Sequence, residues 1–415
     1  MGKVVELESS GRPRRRRRKA SKTALVLGGG GFTGGVYEIG ALRALDLLAV
    51  DTTVNQFDVY VGTSAGALIA ALAANGVTPE QMMRVVNDQI PQPFGDVSLD
   101  MLLRPNYREF VSRGLRLPLH LVGVLREVGK SLPALSPVDI AIALADLLPS
   151  GLYTGSGIEE YVHQALSDPD RTDDFRELGC ELYLAATDLD TCERIVLGGP
   201  GWDDVPISAA VRASAALPMV YQPTRLKDRE LVDGGIVSTT NLDIAVEAGA
   251  KLIIVVNPLV PYVNDFTKEI PTLFGTRTRR VSDMGFPKIG YQTFKLLAYQ
   301  RLHEVARGWR ERYPGVDIVL IEPDTDDELM FQTNILNYRS RLQVARHGFQ
   351  SVTVKLAADY ENLREVAGRH GIEISATRVR KVVRHFKAEK GENAPAWRRI
   401  LEQTTGALLR QSAGD

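Results

Sequence analysis

Cysteine is scarce in this chain, which has only Cys180 and Cys192 among its 415 residues. Two thiols without a metal-ligand spacing supply neither a disulfide framework nor a metal site, so the composition favours a reducing compartment. A secretory signal is lacking as well, because the apolar stretch Ala24–Leu27 runs straight into glycines and is too short for one. We therefore expect a cytoplasmic protein.

Strong net charge and long runs of large apolar residues are absent too. The net charge is −1, which argues against nucleic-acid binding by the chain as a whole. Residues 59–79 carry no charge over 21 positions, but they are rich in Gly and Ala, so a buried strand and helix explain them better than a membrane span. Hydrophobic residues make up 44%, as expected for a globular protein with a large core.

One segment is strongly charged. Residues 1–22 hold nine Lys or Arg and two Glu, and we interpret this segment, the basic arm, as disordered. It is either a solubilising tail or a segment attracted to an anionic membrane, which would make the protein peripheral to membranes. Nucleic acid is a weaker candidate partner, because no aromatic residues are interleaved with the arginines.

A glycine-rich turn follows the first predicted strand, Thr23–Leu27, and precedes a predicted helix, Val36–Leu48. Backbone N–H groups in such a turn form an anion site. Residues 29–34 match the dinucleotide fingerprint G-x-G-x-x-G, which also needs an acid at the end of the second strand; Asp51 lies near that distance, but no clear strand precedes it. The other use is an oxyanion hole for acyl transfer.

A second motif, Gly62–Gly66, has the form G-x-S-x-G between a short strand and an Ala/Leu-rich helix. At such a turn the serine is exposed on a tight bend, with glycines beside it because a Cβ would clash. The pattern predicts that Ser64 is a nucleophile. The alternative is a chance match in a glycine-rich chain, with Ser64 as an ordinary helix N-cap.

A third motif places Asp233 at the end of a short apolar run, before two glycines. It is either a catalytic carboxylate or the first residue of a turn. Around it an α/β rhythm predicts helices at 205–216 and 293–312. Further buried strands are predicted at 181–187, 194–197, 251–257 and 317–322.

The chain divides into a basic arm (1–22), an α/β domain (23–325) and a helical C-terminal extension (326–415), with predicted helices at 341–367, 376–390 and 397–409. Within the α/β domain, residues 77–150 read as an insertion. It is either a helical hairpin packed on the core or a lid that admits acyl chains.

The three motifs, in this order, resemble the patatin-like phospholipase family. Ala185–Leu189 is similar to the family's central Ala-Thr-Asp strand end, and Ala213–Pro218 is similar to its helix before the aspartate. The resemblance covers about residues 23–260. It implies a three-layer α/β/α fold with a mainly parallel sheet, and a lipid acyl hydrolase that acts on lipid or other ester substrates.

The resemblance also implies the site. Ser64 would be the nucleophile and Asp233 its partner in a catalytic dyad, and the amides of Gly29, Gly30 and Gly31 would form the oxyanion hole. Neither a metal nor a cofactor is implied. None of the six histidines lies in a strand-end context that a Ser-His-Asp triad would need.

One departure from the family pattern concerns the glycine turn. The family usually has Arg or Lys two residues after its third glycine, where this chain has Thr33. Two alternatives therefore stay open beside the hydrolase: a nucleotide-binding oxidoreductase that uses residues 29–34, and a non-catalytic lipid-binding member of the family. The sequence indicates neither a headgroup preference nor an oligomeric state.

Overall fold

The computed structural model describes residues 21–87, 103–113, 148–272, 275–333 and 338–384. Nearly all of the basic arm, most of the 77–150 insertion and the last predicted helix, 397–409, lie outside these residues. The division into 1–22, 23–325 and 326–415 stays a prediction.

The centre of the fold is an eight-stranded sheet in the order β12-β9-β1-β2-β4-β8-β7, with β5 paired to β4. The four pairs that join β12, β9, β1, β2 and β4 are parallel, and β5, β8 and β7 are antiparallel additions. The expectation of a mainly parallel sheet is therefore confirmed. The strands are β1 Thr23–Leu27, β2 Val59–Thr63, β4 Glu181–Asp188, β5 Arg194–Leu197, β7 Thr224–Leu226, β8 Arg229–Asp233, β9 Leu252–Val256 and β12 Asp317–Ile321.

Two small sheets lie outside the central one. The strands β3 Gly151–Tyr153 and β6 Met219–Tyr221 pair in parallel, and β10 Glu269–Thr272 pairs with β11 Gly275–Thr278 as an antiparallel hairpin. None of these four strands was expected, because each has only three or four residues and no sustained alternation of apolar and polar positions.

Helices cover both faces of the central sheet, as the alternation along β1 requires. Leu25 and Leu27 pack into one core with α1, α2 and α9, while Ala24 and Val26 pack into a second core with α6 and α7. The three-layer α/β/α architecture is therefore confirmed. The helices are α1 Gly31–Leu48, α2 Ala65–Ala74, α3 Pro79–Val86, α4 Ser156–Leu166, α5 Ile207–Ser214, α6 Leu242–Glu247, α7 Phe286–Arg312, α8 Glu328–Gln332, α9 Arg341–Ala358 and α10 Tyr360–Arg369.

Three helix predictions were wrong at their boundaries. Helix α7 begins at Phe286 rather than at 293. Helix α1 begins at Gly31 rather than Val36, so only Gly28–Gly30 of the glycine run is a loop. Glycine has a low helix propensity, but here the tertiary contacts of a buried helix outweigh it. The helix expected over 341–367 is two helices that meet at Asp359.

Helices α1 and α9 cross at very close range because each has a glycine at the crossing. A Cβ on Gly40 would lie 2.4 Å from the Ala345 carbonyl oxygen, and one on Gly348 would lie 2.6 Å from the Tyr37 carbonyl oxygen. The described part of the C-terminal extension thus packs directly on the helix that follows the glycine loop. None of the helices within the described ranges combines the length and apolarity needed to cross a bilayer.

Substitution of Gly40 by Ala should destabilise the protein by about 1–3 kcal/mol or more, because the new methyl group meets backbone that cannot move aside. Gly308→Ala is the matched control. Gly308 lies inside α7, and apart from its chain neighbours and the backbone of its own helix no atom lies within 4 Å of its Cβ position. There the better helix former should stabilise the protein by up to about 1 kcal/mol. Urea unfolding measures both, and a Gly40→Ala variant as stable as the wild type would contradict the close crossing.

Candidate active site

Ser64 lies in the tight turn between β2 and α2, with φ of 57° and ψ of −125°. A positive φ is strained for a residue with a side chain, so the surroundings must hold it in place. The two motif glycines make this turn sterically feasible. A Cβ on Gly62 would lie 2.6 Å from the Ala67 Cα, and one on Gly66 would lie 2.5 Å from the carbonyl oxygens of Leu27 and Gly28.

A second serine holds this turn. The buried hydroxyl of Ser214 accepts a hydrogen bond from the Ser64 N–H at 3.0 Å and donates one to the Ala185 carbonyl at 2.6 Å. Ser214 is the last residue of α5, and it ties that helix to β4 and to the strained turn. Ser214 lies in the Ala213–Pro218 motif, but the sequence did not indicate this role, because its two partners are 29 and 150 positions away in the chain.

Asn241 plays a similar part at the end of β2. Its side-chain amide donates to the Thr63 hydroxyl at 2.9 Å, and its side-chain oxygen accepts from Arg194 at 3.2 Å. Its φ is 47°, a conformation that Asn tolerates better than most residues. The residue before Ser64 is therefore fixed from the side of β5 and α6, a function that no local pattern indicated.

Asp233 is the last residue of β8, and the Asp-Gly-Gly motif has a steric explanation. A Cβ on Gly234 would lie 2.2 Å from the Ala185 carbonyl oxygen, so the chain can only pass β4 there without a side chain. The Asp233 carboxylate accepts a hydrogen bond from the Gly235 N–H at 2.8 Å, and the Ser64 hydroxyl lies close enough to lower the pKa of this carboxyl group. The fold thus brings Ser64 and Asp233 together, as the dyad requires.

The Asp233 carboxyl group is 2% exposed, and this burial raises its pKa to about 6. Removal from water disfavours the charged form, and the nearby Ser64 hydroxyl and the hydrogen bond from Gly235 offset only part of that effect. A carboxylate with a pKa near 6 is ionised at neutral pH yet is a much stronger base than an exposed aspartate.

The glycine loop lies against the serine, since a Cβ on Gly29 would be 3.0 Å from the Ser64 Cβ. The three amides predicted as oxyanion donors differ, however. The Gly29 N–H donates to the Thr239 carbonyl at 3.2 Å. Within the described residues, the N–H groups of Gly30 and Gly31 have no backbone acceptor, and both glycines line the cavity beside Ser64. Gly30 and Gly31 are therefore the better-placed donors.

A cavity of about 630 Å³ opens beside Ser64, Asp233 and the glycine loop. Its wall is mainly aliphatic and aromatic, and the polar side chains in it are Ser64, Asp233, Thr239 and three tyrosines. Among the described lining residues there is no Lys or Arg, so nothing replaces the cation missing at Thr33, which is itself buried in the first turn of α1. Apolar contributions come from α1, α2, α3, α5, β6 and α7, including Ile39, Leu68, Leu72, Met82, Val86, Val211 and Phe294.

Other candidate residues lie elsewhere. Asp51, the acid considered for a dinucleotide site, accepts from the Glu373 N–H at 3.2 Å in the loop before β2, at the opposite end of the strands from Ser64. Four histidines pair with carboxylates away from the cavity, and the other two, His120 and His385, lie outside the described residues. Within the described ranges, no three His, Cys, Asp or Glu side chains are grouped to share a metal ion.

The sequence profile of the patatin-like phospholipase family matches residues 25–246, which is more than half of the 415 residues. The chain belongs to this family. The matched region includes the glycine loop, the Ser64 turn, Ser214 and Asp233, and the described lining residues outside it are Leu259 and those of the α7 wall.

Two relatives match about half of the chain. The uncharacterized protein YqhO of Bacillus subtilis (strain 168) is 29% identical over 222 residues, 49% of this chain and 63% of its own. The probable lipid hydrolase 463L of Invertebrate iridescent virus 6 is 23% identical over 229 residues, 54% of this chain and 63% of its own. The patatin-like chain thus spans less than two thirds of the length of either relative.

Solved structures resemble the chain only distantly. VipD from Legionella pneumophila matches at 14% identity with a TM-score of 0.30, covering 79% of this chain and 67% of VipD. ExoU from Pseudomonas aeruginosa, solved with SpcU, matches at 16% identity with a TM-score of 0.27, covering 85% of this chain and 59% of the other.

Removal of the Ser214 hydroxyl should slow the chemistry of Ser64 without unfolding the patatin-like domain. Ser214→Ala leaves the Ser64 N–H without its acceptor, and one such hydrogen bond corresponds to about a tenfold change in rate. The measurement is the rate at which a fluorophosphonate labels Ser64. Ser208→Ala is the matched control, since Ser208 is buried on the same helix and its hydroxyl bonds Asp173 at 2.7 Å. Equal labelling rates for the two variants would contradict the positioning role.

Proposed function

We propose that this protein is a lipid acyl hydrolase that cleaves carboxylic esters through a Ser64–Asp233 dyad without a metal. The observation that carries the proposal is the juxtaposition of Ser64, on a strained turn, and the buried carboxylate of Asp233 at the wall of an apolar cavity. Family membership supports the same reaction class.

In the first half of the reaction, the Ser64 Oγ attacks the ester carbonyl carbon while its proton passes to the Asp233 carboxylate. The carbonyl oxygen gains negative charge, and the amides of Gly30 and Gly31 at the start of α1 stabilise it. The N-terminal ends of α1 and α2 add their positive partial charges on the same side. The tetrahedral intermediate then collapses, and the leaving alkoxide takes the proton from Asp233.

In the second half, water attacks the acyl group on Ser64 and gives a proton to Asp233. Collapse of this second intermediate releases the fatty acid and returns the proton to the Ser64 oxygen. A single carboxylate therefore serves as base and acid in both halves, and the raised pKa of Asp233 suits it to both roles.

The proposed substrate is an ester with at least one long acyl chain. The cavity of about 630 Å³ lies within the size range of small-molecule sites, and its wall offers an acyl chain apolar contacts throughout. The basic arm is proposed to attract the protein to anionic lipid surfaces, where such esters are found.

Ser64→Ala should abolish hydrolysis of p-nitrophenyl butyrate, because no other group supplies the nucleophile, and it should abolish labelling by a fluorophosphonate. The fold should persist, as circular dichroism and an unchanged unfolding temperature would demonstrate. Absence of labelling in folded wild-type protein would instead favour a non-catalytic member of the family or the nucleotide-binding alternative, and a thermal-shift screen with NAD(P) and FAD separates those two.

Single His→Ala variants are the controls for the dyad, including His120 and His385. Each should keep most of the wild-type activity, because the proposed base is Asp233. A histidine substitution as damaging as Ser64→Ala would overturn the dyad in favour of a triad.

The value of kcat/KM should rise with pH up to about 6 and stay level above it. The base must be ionised to accept the Ser64 proton, and its pKa of about 6 means that protonation removes activity tenfold per pH unit below that value. The measurement is initial rates on a soluble ester between pH 5 and 8, with Ser64→Ala as the blank and circular dichroism at each pH. A profile that stays flat down to pH 5 would contradict the raised pKa.

A further inference from the structure

Two large apolar side chains mark the point where the cavity reaches the surface. Met219, at the start of β6, is 81% exposed, and Ile236, just after Asp233, is 47% exposed. Both also line the cavity beside Ser64. Since a residue that lines a cavity and faces solvent lies at its opening, these side chains form part of the mouth.

The conformation of Met219 is itself unfavourable. Its φ is 67°, in the region where a side chain is strained, and its exposed side chain gains little packing energy in return. Glycine would satisfy the same backbone without strain. Stability of the fold therefore does not explain a methionine here, whereas a surface that becomes buried on binding does.

Helix α7 adds further exposed apolar side chains beside the mouth of the cavity. Gly290 lines the cavity and is exposed, and its neighbour Ile289 is 43% exposed. Leu297, which follows the cavity-lining Phe294 on the same helix face, is 68% exposed. One turn further along the helix is the exposed Arg301. An apolar rim with a nearby cation matches the layered chemistry of a lipid surface, with acyl chains beneath anionic phosphate groups.

We propose that Met219, Ile236, Ile289 and Leu297, which we call the apolar rim, dock into the interface of a lipid bilayer and set the cavity mouth against it. This inference rests on the proposed lipid hydrolysis. The docking surface itself is located by the exposure of these side chains, the backbone strain at Met219 and the continuity of the rim with the cavity. An acyl chain could then pass from the bilayer into the cavity without crossing water.

The test is co-sedimentation of the full-length chain with phosphatidylcholine vesicles in about 0.5 M NaCl, which screens the charges of the basic arm. All variants carry Ser64→Ala, so lipid is not consumed. Met219→Ser should weaken vesicle binding about tenfold, and Ile236→Ser should weaken it in the same direction. Val354→Ser is the matched control, because Val354 lies on α9 with 46% exposure and does not line the cavity. The vesicle binding of this control should stay within about twofold of that of the Ser64→Ala parent.

Met219→Gly separates docking from a structural role. It should bind vesicles as weakly as Met219→Ser while its unfolding temperature stays equal to or above that of the parent, because strain is relieved. Unchanged vesicle binding in the Met219 and Ile236 variants would overturn the proposal. A lower mass of these variants than of the parent on size-exclusion chromatography would also overturn it, because the rim would then be a contact between two copies of the chain. Labelling of the wild-type Ser64 tests hydrolysis separately, so the two proposals fail by different measurements.

Discussion

The contact between Gly66 and the carbonyl oxygens of Leu27 and Gly28 is the constraint on which the site depends. A Cβ at residue 66 would lie 2.5 Å from both oxygens, so only glycine lets the first turn of α2 touch the end of β1. This contact places the glycine loop beside Ser64 and directs the N-terminal ends of α1 and α2 to one point. Because helix N-termini carry positive partial charge, this close approach of two backbones favours negative charge beside Ser64 whatever the neighbouring side chains are.

Asp233 shows that the same architecture carries a thermodynamic cost. Its pKa of about 6 in the fold is above that of an aspartate in an unfolded chain, about 3.9, so the folded state loses stability as the pH rises between these values. Above pH 6 the loss amounts to about 3 kcal/mol. The hydrogen bond from Gly235 and the nearby Ser64 hydroxyl limit the loss, and the parallel core of β12, β9, β1 and β2 supplies the stability that offsets it. An exposed aspartate would avoid the loss but would be a weak base.

Much of the fold follows from short-range patterns. The buried apolar strands β1, β9 and β12 were predicted almost to the residue, because a continuous apolar run bounded by turns has few other uses in an α/β chain. Prediction from such patterns was wrong where tertiary contacts decide the secondary structure. Helix α1 extends into the glycine run because its first turns are buried, and β3 and β6 exist as strands because they pair with each other. Such pairing between residues 151–153 and 219–221 has no signature in either segment alone.

By itself, the sequence determined the five parallel strands, the turns that hold Ser64 and Asp233, and the family. Apolar runs and the steric requirements of glycine-flanked turns are local and leave a pattern in adjacent residues. Only the tertiary structure decided how the site is held and what surrounds it. Four features join segments that are far apart in the chain. They are the hydrogen bonds from the Ser64 N–H to Ser214, from the Asn241 amide to Thr63 and from the Gly29 N–H to Thr239, and the apolar rim that includes Met219. Hydrogen bonds and burial of this kind depend on where the folded backbone brings those segments, which adjacent residues do not specify.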